Sequence, residues 1–468
     1  MSPGMLKVKG DQIFDGTGKP VILRGTCLGG WMNMENFITG FPGHESQHRS
    51  VMLKVLGQEK YDHLFDKLLE YFFTEADAKY FASLGLNCIR IPFNYKHFED
   101  DMNPRVFKAE GFKNLDRVID LCAGQGIYTI LDLHALPGGH NQNWHADNPT
   151  SYAAFWDFKD HQDRVVWLWE QIAAKYKHNT WVAGYNPINE PADELQYRLI
   201  NFYKRLEKAI RIVDPNHILF LDGNTYSMDF SHFTEVFPNT VYAMHDYSSM
   251  GFPLGEPYIG NEEQKLQLRS QYARKVEFHT KMNVPVWNGE FGPLYANPKY
   301  EPDHEAINAQ RYALLAEQMK IYNHEAKVSW TIWLYKDVGL QGMVYASPDS
   351  PWMKLIAPFL EKKKELQLDM WGKYPSEAAD AVMKPLAAWI DKVSPLLDKK
   401  YPAYWGTLRH VDRAVLHTLL ADSLQMEFAL LFKGKSMEEL DELARSFHFD
   451  QCVQRETLNK MMSDKANV

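Results

Sequence analysis

Two short strings end in residues that could do chemistry together: Tyr185-Asn186-Pro187-Ile188-Asn189-Glu190-Pro191 and Val286-Trp287-Asn288-Gly289-Glu290-Phe291-Gly292. Each begins with β-favouring apolar residues and delivers a glutamate where that run stops. Two carboxylates carried at the ends of two buried strands are what retaining cleavage of a glycosidic bond needs. One carboxyl must keep a proton for the leaving oxygen, and the other must be ionised to attack the anomeric carbon. Glu190, in Asn189-Glu190-Pro191, is the candidate acid/base, and Glu290 is the second carboxylate.

Other polar side chains close apolar runs in the same way. Arg90 lies inside Ile89-Arg90-Ile91-Pro92-Phe93, where an unpaired guanidinium would be costly, so a fork onto a carboxylate is expected, with Glu290 as candidate. His134 ends Leu131-Asp132-Leu133-His134, where its ring would face the site. Asn189 can offer its amide to a sugar 2-hydroxyl, a contact that strengthens at the transition state. In His245-Asp246-Tyr247 the tyrosine can donate to the nucleophile and keep it ionised, with the histidine closing the network. Strand alternation puts Trp330 and Trp333 on opposite faces, and Trp333, nearer the strand end, is the one expected on the site floor.

Presenting these groups side by side takes many strand ends. Eight β-branched or aromatic runs qualify as strands: 21–26, 87–91, 128–133, 182–187, 217–221, 241–245, 284–288 and 328–333. They read as continuous apolar runs, which suits parallel strands covered on both faces. Helical patterns lie between them. Thr74-Glu75-Ala76-Asp77 reads as a capping box opening a helix that stops at Leu84-Gly85. Val165, Trp169, Ile172, Ala173 and Tyr176 follow helical spacing, and 194–213, 264–281 and 305–322 behave alike. The expected fold is a (β/α)₈ TIM barrel, whose site gathers at the C-terminal strand ends. Its catalytic barrel would span 1–365, with a long first βα loop, and a helical C-terminal extension would follow over 366–468. In that extension Leu386, Trp389, Ile390 and Val393 follow a helical stripe, with Pro385 placed in a first turn.

A 45% hydrophobic and 24% charged chain is ordinary globular composition, and a net charge of −9 argues against nucleic acid or an anionic membrane as partner. Aromatic content of 13% suits a cleft that covers pyranose C–H faces. Cys27, Cys88, Cys122 and Cys452 have neither metal spacing nor a pairing pattern, so free thiols are expected. Two carboxylates suffice for the chemistry, so no metal or cofactor is expected. The N-terminus lacks the apolar core of a leader, and no Asn-x-Ser/Thr acceptor occurs, Asn148-Pro149-Thr150 being spoiled by its proline. A cytoplasmic location is expected, or an extracellular one if a leader had been trimmed. The C-terminal helices leave room for a homodimer.

In combination these motifs resemble glycoside hydrolase family five over about residues 21–337. The resemblance implies roles for Arg90, His134, Asn189, Glu190 as acid/base, His245, Tyr247, Glu290 as nucleophile, and Trp333, each position filled by the expected residue type. The strings from Arg24 to Glu35 and from Asp132 to Asn141 look like the fungal exo-β-1,3-glucanase branch. There the glutamate matching Glu35, and the asparagine matching Asn141 or Asn143, bind hydroxyls of the terminal sugar, which implies a blocked pocket and exo action. The stretch Phe291-Gly292-Pro293-Leu294 and the helical tail depart from that branch. The resulting expectation is a retaining exo-β-glycosidase acting on small β-glucosides or β-xylosides by double displacement. The alternatives are an endo-β-glucanase or mannanase with an open groove, an exo-β-1,3-glucanase, and, more remotely, a non-catalytic sugar-binding or scaffold barrel.

Overall fold

Eight parallel strands close into a barrel in chain order: β1 (Arg24–Cys27), β2 (Cys88–Asn94), β3 (Tyr128–Ala135), β4 (Val182–Asn186), β5 (Ile218–Asp222), β6 (Thr240–His245), β7 (Val286–Glu290) and β8 (Ser329–Ile332). The structure, a computed structural model, describes residues 4–463; residues 1–3 and 464–468, the outer ends of the two expected segments, lie outside the described residues. All eight expected runs form barrel strands. Several reach further toward their C-terminal ends than expected, β2 to Asn94 and β3 to Ala135, so that more polar residues project at that rim.

Inside the barrel, Cys88, Ile130, Ala183, Ile218, Phe220, Val241, Ala243 and Trp287 form one apolar plug. Its lower end is closed by Leu6 and Ile13, the first just before and the second within a three-stranded antiparallel sheet of Lys7–Lys9, Gln12–Phe14 and Pro20–Val21. Two- and three-residue strands carry too little pattern to be read from sequence, and this sheet was not expected. Outside, the helix Lys159–Tyr176 buries Val165, Trp169, Ile172, Ala173 and Tyr176, the stripe its periodicity predicts. The capping box forms as written: the Asp77 carboxylate accepts from the Thr74 backbone N–H at 2.8 Å, and Gly85 follows with φ +75°. No helix among the described residues is long and apolar enough to cross a membrane.

The long first connection and the C-terminal extension pack on each other. Phe428, Phe432, Leu440, Leu443 and Phe447 join the main core beside Phe41, Phe65 and Phe72. The rings of Phe72 and Phe447 lie 5.5 Å apart, and those of His48 and Phe428 5.6 Å. A fully buried ammonium, that of Lys336, pairs with Asp77 at 2.7 Å and donates to the Phe447 carbonyl at 2.8 Å. The late strand Cys452–Gln454 pairs antiparallel with Val344–Ala346.

One detail of the tail differs from its sequence pattern. Pro385 sits within the helix Glu377–Val393, not in its first turn. Its buried positions are Ala379, Met383 and Ala387; Ala379 and Met383 cluster with Val411 and Leu416, the half-buried Leu386 and Ile390 pack against that cluster, and Trp389 and Val393 are exposed. Half of the predicted stripe, Leu386 and Ile390, thus packs at the contact, and the other half faces outward.

Candidate active site

The polar side chains collect at the C-terminal rim of the barrel, around a cavity of about 220 Å³. Glu35, His134, Glu190, His245, Tyr247, Glu290 and Trp333 line it, as expected. Arg90, Asn141 and Asn189 do not; they stand behind the wall.

Beneath the site lies the fully buried Arg90. Its Nη1 reaches Glu290 Oε1 at 2.5 Å, and its Nη2 reaches Asn189 Oδ1 at 2.6 Å, Asn186 Oδ1 at 2.8 Å and Asp132 Oδ2 at 3.1 Å. The expected two-pronged fork onto one carboxylate is replaced by donors spread over four side chains. Converging strand ends surround the planar guanidinium with acceptors, which no single stretch of chain reveals. Asn189, expected to meet a sugar hydroxyl, is fully buried: its oxygen accepts from Arg90, and its amide nitrogen lies 3.2 Å from His134 Nε2. His134 Nδ1 meets Asp132 Oδ2 at 2.7 Å, which assigns the ring proton to Nδ1 and leaves Nε2 to accept.

Glu290 sits just past a register shift between β6 and β7, which pairs it with His245. A Cβ at Gly289 would come within 2.9 Å of His245 Nε2, so a glycine is required for that approach. Tyr247 donates its hydroxyl to Glu290 Oε2 at 3.0 Å.

Glu190 has a backbone φ of 45°, the left-handed region, in a residue that gains nothing from it sterically. Such a conformation costs about 1–3 kcal/mol and has to be held by its surroundings. Here the Glu190 N–H donates to Asp222 Oδ2 at 2.8 Å, and its carbonyl accepts from Asn141 Nδ2 at 3.0 Å. Asn141 or Asn143 was expected to bind the terminal sugar; Asn141 is a buried clamp on this peptide, and it is Asn143 that lines the cavity, with an unpartnered Oδ1. The amide of Asn141 has its orientation set, because its Oδ1 accepts from the Asn143 N–H at 2.9 Å. Its Nδ2 therefore donates to His145 Nε2 at 2.8 Å, which makes that nitrogen an acceptor. Glu190 Oε2 lies 3.3 Å from the same nitrogen, a contact favourable when Glu190 carries a proton. Its Oε1 lies 2.6 Å from His245 Nδ1.

The electrostatics separate the two glutamates. Burial, the Glu290 charge and Asp222 hold the Glu190 carboxyl well above the usual carboxylate range. Burial also raises Glu290, but the Arg90 charge and hydrogen bond pull it back, and Tyr247 adds to this. Burial pushes His134, His145 and His245 down, so the surrounding rings are neutral. One ligand atom from each of Glu190, His245 and Glu290 lies within 4.8 Å of the others, a geometry that three donors could offer a cation. The Arg90 guanidinium already on Glu290 opposes that use. The facing oxygens of Glu190 and Glu290 lie within 4.8 Å of each other, a spacing in keeping with the roughly 5–5.5 Å of a retaining carboxyl pair.

Glu35 is 3% exposed; its Oε2 accepts from Trp144 Nε1 at 2.9 Å, while its Oε1 is unpartnered. Trp333 stacks on His134 with centroids 5.5 Å apart and planes 15° apart, whereas Trp330 is core and bonds Asn323. Sequence reading missed Trp144 and His145, although the loop His140-Asn141-Gln142-Asn143-Trp144-His145 is dense in polar and aromatic groups. It also missed Asp222, which ends β5, and Phe37 and Tyr226 on the cavity wall. Met370, Trp371, Tyr404 and Arg409 come from beyond the last strand, and nothing in their own sequence places them at the site.

The chain matches the family model described as Cellulase (glycosyl hydrolase family 5) over residues 63–339. A protein of Phanerodontia chrysosporium named Beta-xylosidase is 54% identical over 470 residues, covering 99% of this chain and 98% of that one. A probable glucan 1,3-beta-glucosidase A of Neosartorya fischeri is 23% identical over 363 residues, covering 69% of this chain and 84% of that one. A crystal structure of endogalactoceramidase shares the fold, with a TM-score of 0.52 at 17% identity, covering 71% of this chain and 75% of that one.

Proposed function

The chain belongs to glycosyl hydrolase family 5 and is a glycoside hydrolase, and we propose that it works as a retaining, exo-acting β-glycosidase releasing one terminal xylose or glucose from small β-glycosides. The reaction is a double displacement. Glu290 Oε2, opposite the oxygen tied to Arg90, bonds to the anomeric carbon as the bond to the leaving oxygen breaks. Glu190 gives its proton to that oxygen. A water then enters where the aglycone left, gives a proton to Glu190, and displaces the Glu290 carboxylate, so the configuration is retained.

The observation that carries exo action is the buried Glu35 Oε1, unpartnered on the wall of a cavity of about 220 Å³. That volume is smaller than the roughly 300–1,000 Å³ of pockets for drug-sized ligands and suits one sugar ring better than a polymer. Phe37, Trp144 and Trp371 close the wall around Glu35, and Asn143 Oδ1 offers a second acceptor for hydroxyls. The 54% identical relative named Beta-xylosidase favours xylose as the first sugar to test.

The test is initial rates on aryl β-xyloside, β-glucoside, β-mannoside, β-galactoside and β-cellobioside, with Glu290→Gln as control. Fast release from one monosaccharide derivative, lost in the variant, supports the reading and names the sugar. Release from the cellobioside alone, or cleavage of polymer alone, would overturn exo action.

A further inference from the structure

The C-terminal extension has no part in building the barrel, yet it reaches the catalytic cavity beside Glu190. From Glu190 the contacts run outward through aromatic rings. His145 Nε2 lies 3.3 Å from Glu190 Oε2, and Tyr226 meets His145 edge-on at 6.4 Å. Trp405 then stacks on Tyr226 at 5.8 Å with planes 24° apart. Tyr404 and Arg409 line the cavity itself. In a retaining mechanism the acid gives its proton to the leaving oxygen, so the groups flanking Glu190 on its outer side meet the leaving group.

The helix Gly406–Ala414 carries two guanidinium groups one turn apart at this place. The carbon centre of Arg409 lies 5.0 Å from the Trp405 ring, and that of Arg413 lies 5.7 Å from it. Neither has a carboxylate within ion-pair distance among the described residues, the nearby Asp412 being held by Lys373 at 2.5 Å. Arg413 is 5% exposed, and its Nη2 has no hydrogen-bond partner. A guanidinium is costly to bury without an anion, and a ring face alone offsets only part of that cost. Arg409, by contrast, is exposed and lines the same cavity as Glu190, where water pairs with its charge until a ligand anion replaces it.

We propose that the C-terminal extension forms the aglycone subsite, with Tyr404 and Tyr226 as its aromatic walls, and that Arg409 and Arg413 select leaving groups bearing a carboxylate, such as an acidic sugar. Arg409 supplies the direct contact at the cavity; Arg413 adds positive charge from behind Trp405. The inference rests on the proposed glycosidase activity.

The experiment compares kcat/KM for two aryl β-glycosides of the preferred sugar, 4-carboxyphenyl and its uncharged 4-carbamoylphenyl counterpart, in wild-type enzyme, Arg409→Gln and Arg409→Lys. Taking each variant's ratio of the two substrates cancels the intrinsic difference between the leaving groups. The ratio should fall about 3- to 10-fold in Arg409→Gln, be partly kept in Arg409→Lys, and shrink in wild type as salt rises from about 0.01 to 0.5 M. Exposed Trp389→Ser, in the same extension but outside the cavity, should leave the ratio at its wild-type value. A ratio unchanged by Arg409→Gln and insensitive to salt would overturn the proposal, as would an equal loss on both substrates, which marks a structural role. If wild-type enzyme cleaves neither substrate nor any simple aryl glycoside, the glycosidase reading itself has failed.

Discussion

Replacing Tyr247 by phenylalanine isolates one hydrogen bond to the nucleophile. The hydroxyl donates to Glu290 Oε2 at 3.0 Å, while the ring packs edge-on against Trp371 at 4.7 Å and Phe252 at 6.2 Å. Phenylalanine keeps the ring and removes the donor. A hydrogen bond to a charged group is worth about 1.5–3 kcal/mol, and about 1.4 kcal/mol corresponds to one pKa unit, so a full loss is about 1–2 units. Tyr247 is only half-buried, and Arg90 still holds the other oxygen at 2.5 Å, so the expectation is the lower end, about one unit. The sign follows from the state that is stabilised. The donor favours ionised Glu290, so losing it raises the carboxyl further, and the nucleophile needs a higher pH to ionise. The assay is the pH profile of kcat/KM on an aryl β-glycoside, whose acid limb reports the free enzyme's carboxyl pair as a unit. The acid limb should move to higher pH by about one unit, so that one unit below the wild-type limb the rate falls about tenfold, with much less change near the optimum. An acid limb that stays in place, or moves down, while the rate falls equally at every pH would refute the assignment of Tyr247 as the group that keeps Glu290 ionised.

Glu190→Gln should lower kcat/KM by about 10²- to 10⁴-fold on aryl glycosides with poor leaving groups, and far less with dinitrophenyl leaving groups that need no proton; a leaving-group series checks this, and an equal loss across it would contradict the acid role. Trp371→Ala should join the catalytic cavity of about 220 Å³ to a neighbouring one of about 120 Å³, since Phe37 and Trp371 line both; the variant should begin to release intact disaccharide from aryl β-xylobioside or β-cellobioside, read by chromatography, and continued release of single sugars alone would mean the partition lies elsewhere. Lys336→Met should destabilise the fold by about 3–5 kcal/mol, because it strands the fully buried Asp77 carboxylate and the Phe447 carbonyl; urea unfolding measures the loss, and a change below about 1 kcal/mol would show that the buried pair is worth little.

Much of the site was legible because strands of a parallel barrel are read locally. Each apolar run ends where it leaves the core, and a polar residue at that point must face the rim. Glu190, Glu290, His134, His245, Tyr247 and Trp333 were found this way, and all line the cavity. Arg90 was legible as a charge needing partners, but the identity of those partners was not, since Glu290, Asp132, Asn186 and Asn189 come from separate strands or the loop after one. Asn141 was misplaced for the same reason: whether an asparagine faces a cavity or clamps a peptide depends on which backbone groups lie within 3 Å or so.

The chain order of apolar runs, the capping box at Thr74 and the two strand-terminal glutamates are properties of short stretches, and short-range physics determines them: alternation, helix periodicity and the cost of burying an unpaired charge. Which carboxyl holds the proton is not such a property. It follows from Arg90 and Tyr247 converging on Glu290 while an accepting nitrogen of His145, oriented by Asn141, faces Glu190. Nor does local pattern tell that residues 370–409 come back to the cavity. That return is set by the fit of the tail's Phe428 and Phe447 against Phe41, His48 and Phe72 of the first connection, a long-range packing energy that exists only once both segments are folded.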